Sequence, residues 1–284
     1  HILEAPVKYA ADVNEINVVQ LARDEGARFV LHGQGQALGG AIRLFAALTD
    51  AQNGRRLWTE KYDSPCSPDN ILQAQDDVSR SIFSTVLDSV GVISRTLIQE
   101  TTYLPPEELG VYEATLRYMG WVASFDRQSY DRAKEALELN IDRDPRNPIL
   151  LSQLSDIYSS DYQFAFNQIP NNLELAIDLA KKALAFDSNC HMAKLARALY
   201  FFLARDKAQL ETLLRGLPEQ NDITPYVRAW AGLLIGMSID LEEGKNIITS
   251  ATRLNPYQSS WHNAVPSMYH SSKENYEEAI RYAL

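Results

Sequence analysis

The chain repeats one phrase. Residues 130–139 read Tyr-Asp-Arg-Ala-Lys-Glu-Ala-Leu-Glu-Leu, an amphipathic helix, and Asp144-Pro145 stops it. The phrase recurs three more times around a small central residue. Ala133 to Ala176 is 43 residues, Ala176 to Gly244 is 68, and Gly244 to Ala279 is 35. A fixed period of about 34 residues marks a solenoid of helix–turn–helix units, because each unit buries its apolar face only against its neighbours. The proline stops agree: Pro145 to Pro256 is 111 residues, about three such periods and nine residues more. One nine-residue insertion explains the offset.

The second helix of each unit is expected at residues 130–144, 173–187 and 242–255, with a further one starting at 275. Small residues fall where two helices must approach closely: Ala133, Ala176 with Ala183, Gly244 with Ala251, and Ala279. Asn140 stands in an alanine slot, Ser188 replaces the inter-repeat proline, and Leu210 replaces a small residue, so the third unit, about residues 191–221, is degenerate. These residues resemble the tetratricopeptide repeat family. The resemblance implies four to five helical repeats over residues 107–284, the last one truncated, and a concave groove lined by the first helix of each unit.

Ahead of the repeats the hydrophobic period changes. Val13, Ile16, Val19 and Ala22 are spaced for a helix, with Asp12 or Asn14 as its cap and Gly26 as its stop. Residues 28–34, 41–49 and 56–62 alternate as strands, joined through Gly39-Gly40 and Asn53-Gly54. A three-stranded meander after a helix follows. Ser67-Pro68 then opens a helix whose stripe is Ile71, Ala74, Val78, Ile82, Phe83, Val86 and Val90. The spacing predicts one helix from Asn70 to Glu100, covering a face of the sheet and coupling it rigidly to the repeats, with Pro105-Pro106 as the break. The expected domains are 1–100, a linker at 101–106, and 107–284. Overall this is an α+β chain: a small antiparallel-sheet α/β domain followed by an all-α solenoid.

The residues Ala27-Arg28-Phe29-Val30-Leu31, Gly33, Leu48-Thr49-Asp50-Ala51, Gly54 and Leu57-Trp58-Thr59-Glu60-Lys61-Tyr62-Asp63 resemble the TolB-N-like (FlgO-type) α/β domain, over about residues 10–90. That family's leading helix and first strand have no counterpart here, so the chain is expected to be a piece of a longer protein. The two resemblances together imply a bacterial signalling protein, with an output such as a CadC-type winged-helix domain or a class III nucleotide cyclase elsewhere.

Composition narrows the function classes. The net charge is −10, spread so that residues 1–100 hold nine Lys/Arg against thirteen Asp/Glu and the rest eighteen against twenty-four. No basic half or stripe provides a footprint for phosphate backbones, so direct nucleic-acid binding is not expected. No 18-residue uncharged apolar run is present, and membrane insertion is not expected either. The two cysteines, Cys66 and Cys190, stand in dissimilar contexts, and their redox state stays open. A cytoplasmic location is expected, or a periplasmic one if a membrane helix precedes the segment.

Catalytic and cofactor motifs do not assemble. Gly33-Gln34-Gly35 with Gly39-Gly40 is followed by a strand, not by the helix that a phosphate loop requires, so a hairpin turn is the preferred reading. His1, His32, His191, His262 and His270 lack metal-ligand spacing, and adjacent Cys190-His191 point about 100° apart on a helix. Asp76-Asp77 and Glu107-Glu108 mark solvated helix turns. No nucleophile, base and stabiliser come together. The segment reads as non-enzymatic, with no cofactor and no metal.

What remains is the groove. The family register places Tyr118, Val122, Asp156, Leu199, Phe202, Tyr226, Met237, Asn263 and His270 on the concave face, as a site for a peptide or partner protein. The nine inserted residues fall between Tyr158 and Leu173. Their aromatics Tyr162, Phe164 and Phe166 either pack as a structural lid or rim that site. The function expected is sensing and protein interaction for an output domain. A scaffold or cell-envelope adaptor and a small-molecule receptor are the alternatives, and a homodimer is left open.

Overall fold

A computed structural model describes residues 17–65, 70–166, 169–220, 223–256 and 259–283. The chain divides into two compact units, His1–Leu87 and Asp88–Leu284.

In the first unit α1 (Val18–Asp24) starts on Asn17, whose side chain accepts the Gln20 N–H at 3.1 Å. The observed cap is thus Asn17. Asp12, Val13, Asn14 and Ile16 lie outside the described residues. Gly26, at φ +65°, ends the helix as expected. Three strands follow, β1 (Phe29–Leu38), β2 (Ala41–Asp50) and β3 (Arg55–Pro65), in an antiparallel sheet of order β1-β2-β3. Gly39-Gly40 and Gly54 take positive φ at the two turns, which is why glycine serves there. Strand β1 runs past the expected Gln34 to Leu38, so Gly33-Gln34-Gly35 lies inside the strand and the hairpin turn is at Gly39-Gly40. A Cβ on Gly33 would sit 2.8 Å from the Phe45 carbonyl oxygen, and this close approach accounts for the residue.

Asp50, buried, ties the second turn together. It accepts from Arg28 Nη2 at 3.2 Å, from the Gln52 N–H at 3.0 Å and from Asn53 Nδ2 at 3.3 Å. Helix α1 packs on β1 and β2, and α2 (Ile71–Leu87) on β3. Of the expected α2 stripe, Ile82 and Val86 are buried, whereas Ile71 and Phe83 are exposed. Ser67-Pro68 lies outside the described residues.

The single helix expected over residues 70–100 is two. Helix α2 stops at Leu87, residues 88–91 turn, and α3 (Val92–Thr101) restarts on Gly91. Asp88 explains the break, because its groups are committed elsewhere: its carboxylate accepts from Asn255 Nδ2 at 2.9 Å and its carbonyl accepts from Ser94 Oγ at 3.0 Å. The stretch 71–101 reaches a mean hydropathy of 1.3 over 18 residues, but it consists of helices of 17 and 10 residues. Neither reaches the about 20 residues that cross a bilayer. The boundary between the units therefore falls at Leu87/Asp88 and not at 100–106, since α3 packs against the helix that follows it.

The second unit is an array of antiparallel helix pairs: α4 (Val111–Ser124) with α5 (Arg127–Arg143), α6 (Pro148–Gln163) with α7 (Asn172–Phe186), α8 (His191–Leu203) with α9 (Lys207–Leu214), α10 (Pro225–Ser238) with α11 (Leu241–Leu254), and α12 (Ala264–Ser272) with α13 (Tyr276–Ala283). The first helices of successive pairs also touch, α4 on α6, α6 on α8, α8 on α10 and α10 on α12. That stacking is TPR-like and gives a mostly helical α+β chain. Asp126, Asn147, Asp206, Thr224 and Asp240 cap five of these helices with side-chain oxygens. The expected linker is stitched down: Arg117 donates to the carbonyls of Thr101 and Leu104, and Arg143 to those of Glu107 and Leu109.

Every small residue expected at a close approach is buried, from Ala133 to Ala279. The tightest approach is between α10 and α11, where a Cβ on Gly244 would lie 2.4 Å from the Gly236 Cα and 2.6 Å from the Gly232 carbonyl oxygen. Asn140, buried in an alanine slot, satisfies itself by donating to the Ala136 carbonyl at 2.9 Å. Because backbone is what a new methyl would strike, Gly244→Ala is expected to destabilise the helical unit by about 2–3 kcal/mol. Urea unfolding followed by circular dichroism measures it, and an unchanged midpoint would contradict the close approach.

Candidate functional site

The concave-face residues divide into a closed core and an open groove. In the core, Tyr118 of α4 donates to Asp156 of α6 at 2.8 Å. Tyr226 of α10 is hydrogen-bonded to Tyr118 and accepts from Trp230 Nε1 at 2.9 Å. Tyr118 has one proton and gives it to Asp156, so the chain runs Trp230 to Tyr226 to Tyr118 to Asp156. Leu199, Val122 and Val90 belong to the same buried cluster.

The space left beside Tyr118, Asp156, Leu199 and Trp230 is about 20 Å³, room for one water and not for a side chain of a partner. Tyr118, Val122, Asp156, Leu199 and Tyr226 are therefore core residues here and do not line an open groove. The physical reason is that this sequence places large aromatics where neighbouring first helices meet. Residues 88–91 add Val90 and Asp88 to that side, the latter held by the buried Asn255.

Asp156 makes no ion pair with a described residue. Burial pushes its carboxyl up to about 6, against the opposing pull of the Tyr118 hydroxyl. Burial, and then the Asp156 charge, push the Tyr118 and Tyr226 hydroxyls up. His262, buried with neither ring nitrogen partnered among the described residues, is driven down to about 3 by desolvation. Cys190 is buried and free, and burial raises its thiol. Cys66 lies outside the described residues. His191 pairs with Gln220 Oε1 at 2.9 Å. No group of three or more His, Cys, Asp or Glu converges among the described residues.

The open groove lies at the C-terminal ends of α6, α8 and α10, with a volume of about 550 Å³. Tyr162, Phe202 and Met237 form its apolar floor with Phe201 and Leu203, and Arg205 and Lys207 are the charged residues on its wall. Neither cation pairs with a described acid. Arg205 is held at φ +58° at the end of α8, where Asp206 caps the next helix through the Gln209 N–H at 3.1 Å. The structure thus brings three of the expected residues, Tyr162, Phe202 and Met237, to one surface.

The other expected residues lie elsewhere. Asn263 is exposed outside this groove, and His270 stacks on Tyr282 of the last pair at 5.6 Å. Phe164 and Phe166 form a lid, packed edge-on against Trp121 at 5.8 and 6.2 Å, with Arg127 over Phe166. Asp161 anchors that lid by accepting from Tyr130 Oη, the Ile169 N–H and Asn172 Nδ2. Arg205 and Lys207 escaped the sequence reading because they sit in the degenerate unit; cations on both sides of a capping aspartate were the available signal.

The fold and groove define a class: a TPR-like helical-repeat segment following a small α/β unit. No family model matches the chain. Among curated proteins it is similar to one named "Putative adenylate cyclase 3" from Rhizobium meliloti (strain 1021), at 26% identity over 174 residues, 61% of this chain and 29% of that protein. The chain thus spans under a third of that relative's length. Among solved structures it is similar to TTC0263, a thermophilic TPR protein of Thermus thermophilus, at 17% identity and a TM-score of 0.43, covering 74% of this chain and 96% of that one. It is also similar to MamA from Desulfovibrio magneticus RS-1, at 15% identity and a TM-score of 0.37, covering 60% and 90%.

The core makes opposite demands on pH. Asp156 binds its proton more tightly folded than unfolded, so stability falls as pH rises from about 4 to about 6; His262 binds it more weakly folded, so stability rises from about 3 to about 6.5. Asp156→Asn is expected to make the change in unfolding free energy from pH 4 to pH 7 more positive than in the wild type by about 2 kcal/mol, and His262→Leu to make it more negative by about 3 kcal/mol. Urea titrations at the two pH values read both.

Proposed function

We propose that this chain is the protein-interaction segment of a bacterial signalling protein, and that it takes a partner's peptide in the groove of Tyr162, Phe202 and Met237. The observation that carries this reading is the pairing of an apolar floor with two cations, Arg205 and Lys207, that no described acid neutralises. An extended segment with large apolar side chains and an acidic residue satisfies both, because the aromatic and Met surfaces supply contact area while the cations answer the acid. The resemblance of the sequence around residues 27–63 to the TolB-N-like domain and the similarity to a cyclase-named protein support an output domain outside this segment, a nucleotide cyclase or a transcription regulator. The segment itself is non-enzymatic in this reading. Cytoplasmic placement goes with such an output.

A photo-crosslinking amino acid placed at Phe202 or Met237 of the intact protein in its own cells tests this, with Leu72 of α2 as an exposed control. One protein adduct specific to the groove positions is expected. Phe202→Ala or Lys207→Glu should weaken the purified pair by about tenfold or more. Adducts no stronger at the groove than at Leu72 would overturn the reading.

A further inference from the structure

We propose that a second cavity, separate from the peptide groove, binds a small organic phosphate. It lies between the end of α7, α8 and the chain following α9, with a volume of about 360 Å³, within the range of small-ligand pockets of roughly 300–1,000 Å³. Three cations line it: Lys194 and Arg197, one turn apart on α8, and Arg215 beyond α9. In a chain of net charge −10, none of the three pairs with a described acid, although Asp187, Glu211 and Glu219 are close in sequence.

Three like charges around one cavity repel each other unless an anion joins them. The Arg197 guanidinium lies over the Phe201 ring at 5.7 Å, and its Nε is buried with no partner among the described residues. Planar guanidinium forks suit the tetrahedral oxygens of a phosphate. Ser188 and the Gln220 amide add neutral hydrogen-bonding groups to the wall, whereas the Thr212 hydroxyl is spent on the Ala208 carbonyl. The remaining wall is apolar, made by Leu184, Leu213 and Leu217, so the ligand carries an apolar body as well as the phosphate. The ligand class is therefore a phosphate monoester with a compact apolar group.

Phenyl phosphate and inorganic phosphate, titrated calorimetrically into the whole chain at low salt, test the assignment. Phenyl phosphate is expected to bind at millimolar concentration or below, and more tightly than inorganic phosphate. Arg197→Gln should weaken it by about tenfold or more. Arg215→Gln, at an exposed position, leaves the fold intact and should weaken it by a similar factor. Lys207→Gln, in the peptide groove, should change nothing, which separates this site from that one. Absence of binding, or binding that both arginine variants retain at wild-type strength, would overturn the site. Equal affinity for the two anions would overturn the apolar body.

Discussion

Close contact between helix backbones is the constraint on which the helical unit rests. Where α10 and α11 meet, Gly232 and Gly244 leave no volume for a methyl group, and one on Gly236 would strike Val265 of α12; Ala251 of α11, and Ala133, Ala176 and Ala183 in other pairs, are buried small residues of the same kind. Bringing two helices that near puts their paired faces out of reach of water. Larger side chains then find most of their room between successive pairs, although Trp121 packs on Tyr130 within the first. Tyr118, Tyr226 and Leu199 are found between pairs.

Burying tyrosines in that layer requires partners for their hydroxyls, and the run from Trp230 to Asp156 supplies them. It ends in a carboxylate with no cation, an arrangement that stands only because the acid is easily neutralised in so dry a place. His262 settles the matching problem in the opposite way, by remaining uncharged. The same loss of water pushes both buried groups toward their neutral forms, His262 further than Asp156.

The repeat architecture was legible because it is periodic: one small residue per turn of contact recurs at a fixed interval and needs no knowledge of the fold. The sheet was legible through Gly39-Gly40 and Asn53-Gly54, whose turns permit few alternatives. The break at residues 88–91 was not, since the apolar stripe runs through it and its cause, Asn255, lies 167 residues away. The groove was half legible. A family register tells which side of a helix faces inward, but whether that side is open depends on side-chain volumes summed over several helices, and Tyr118 and Tyr226 fill theirs. The surfaces left open, at Phe202 and Met237 and around Arg197, belong largely to the unit whose pattern is most eroded.

The hydrogen bond between Asp88 and Asn255 also bears on the order in which the chain folds. Each helix pair is local and can form as soon as its own residues are available, so the array can be built outward from any pair. The junction at Asp88 cannot follow that schedule. Its partner is synthesised after four of the pairs, and closing so long a loop is an entropically costly step that comes late. A nascent chain therefore carries a nearly finished solenoid with its first buried turn still unfastened until Asn255 leaves the ribosome.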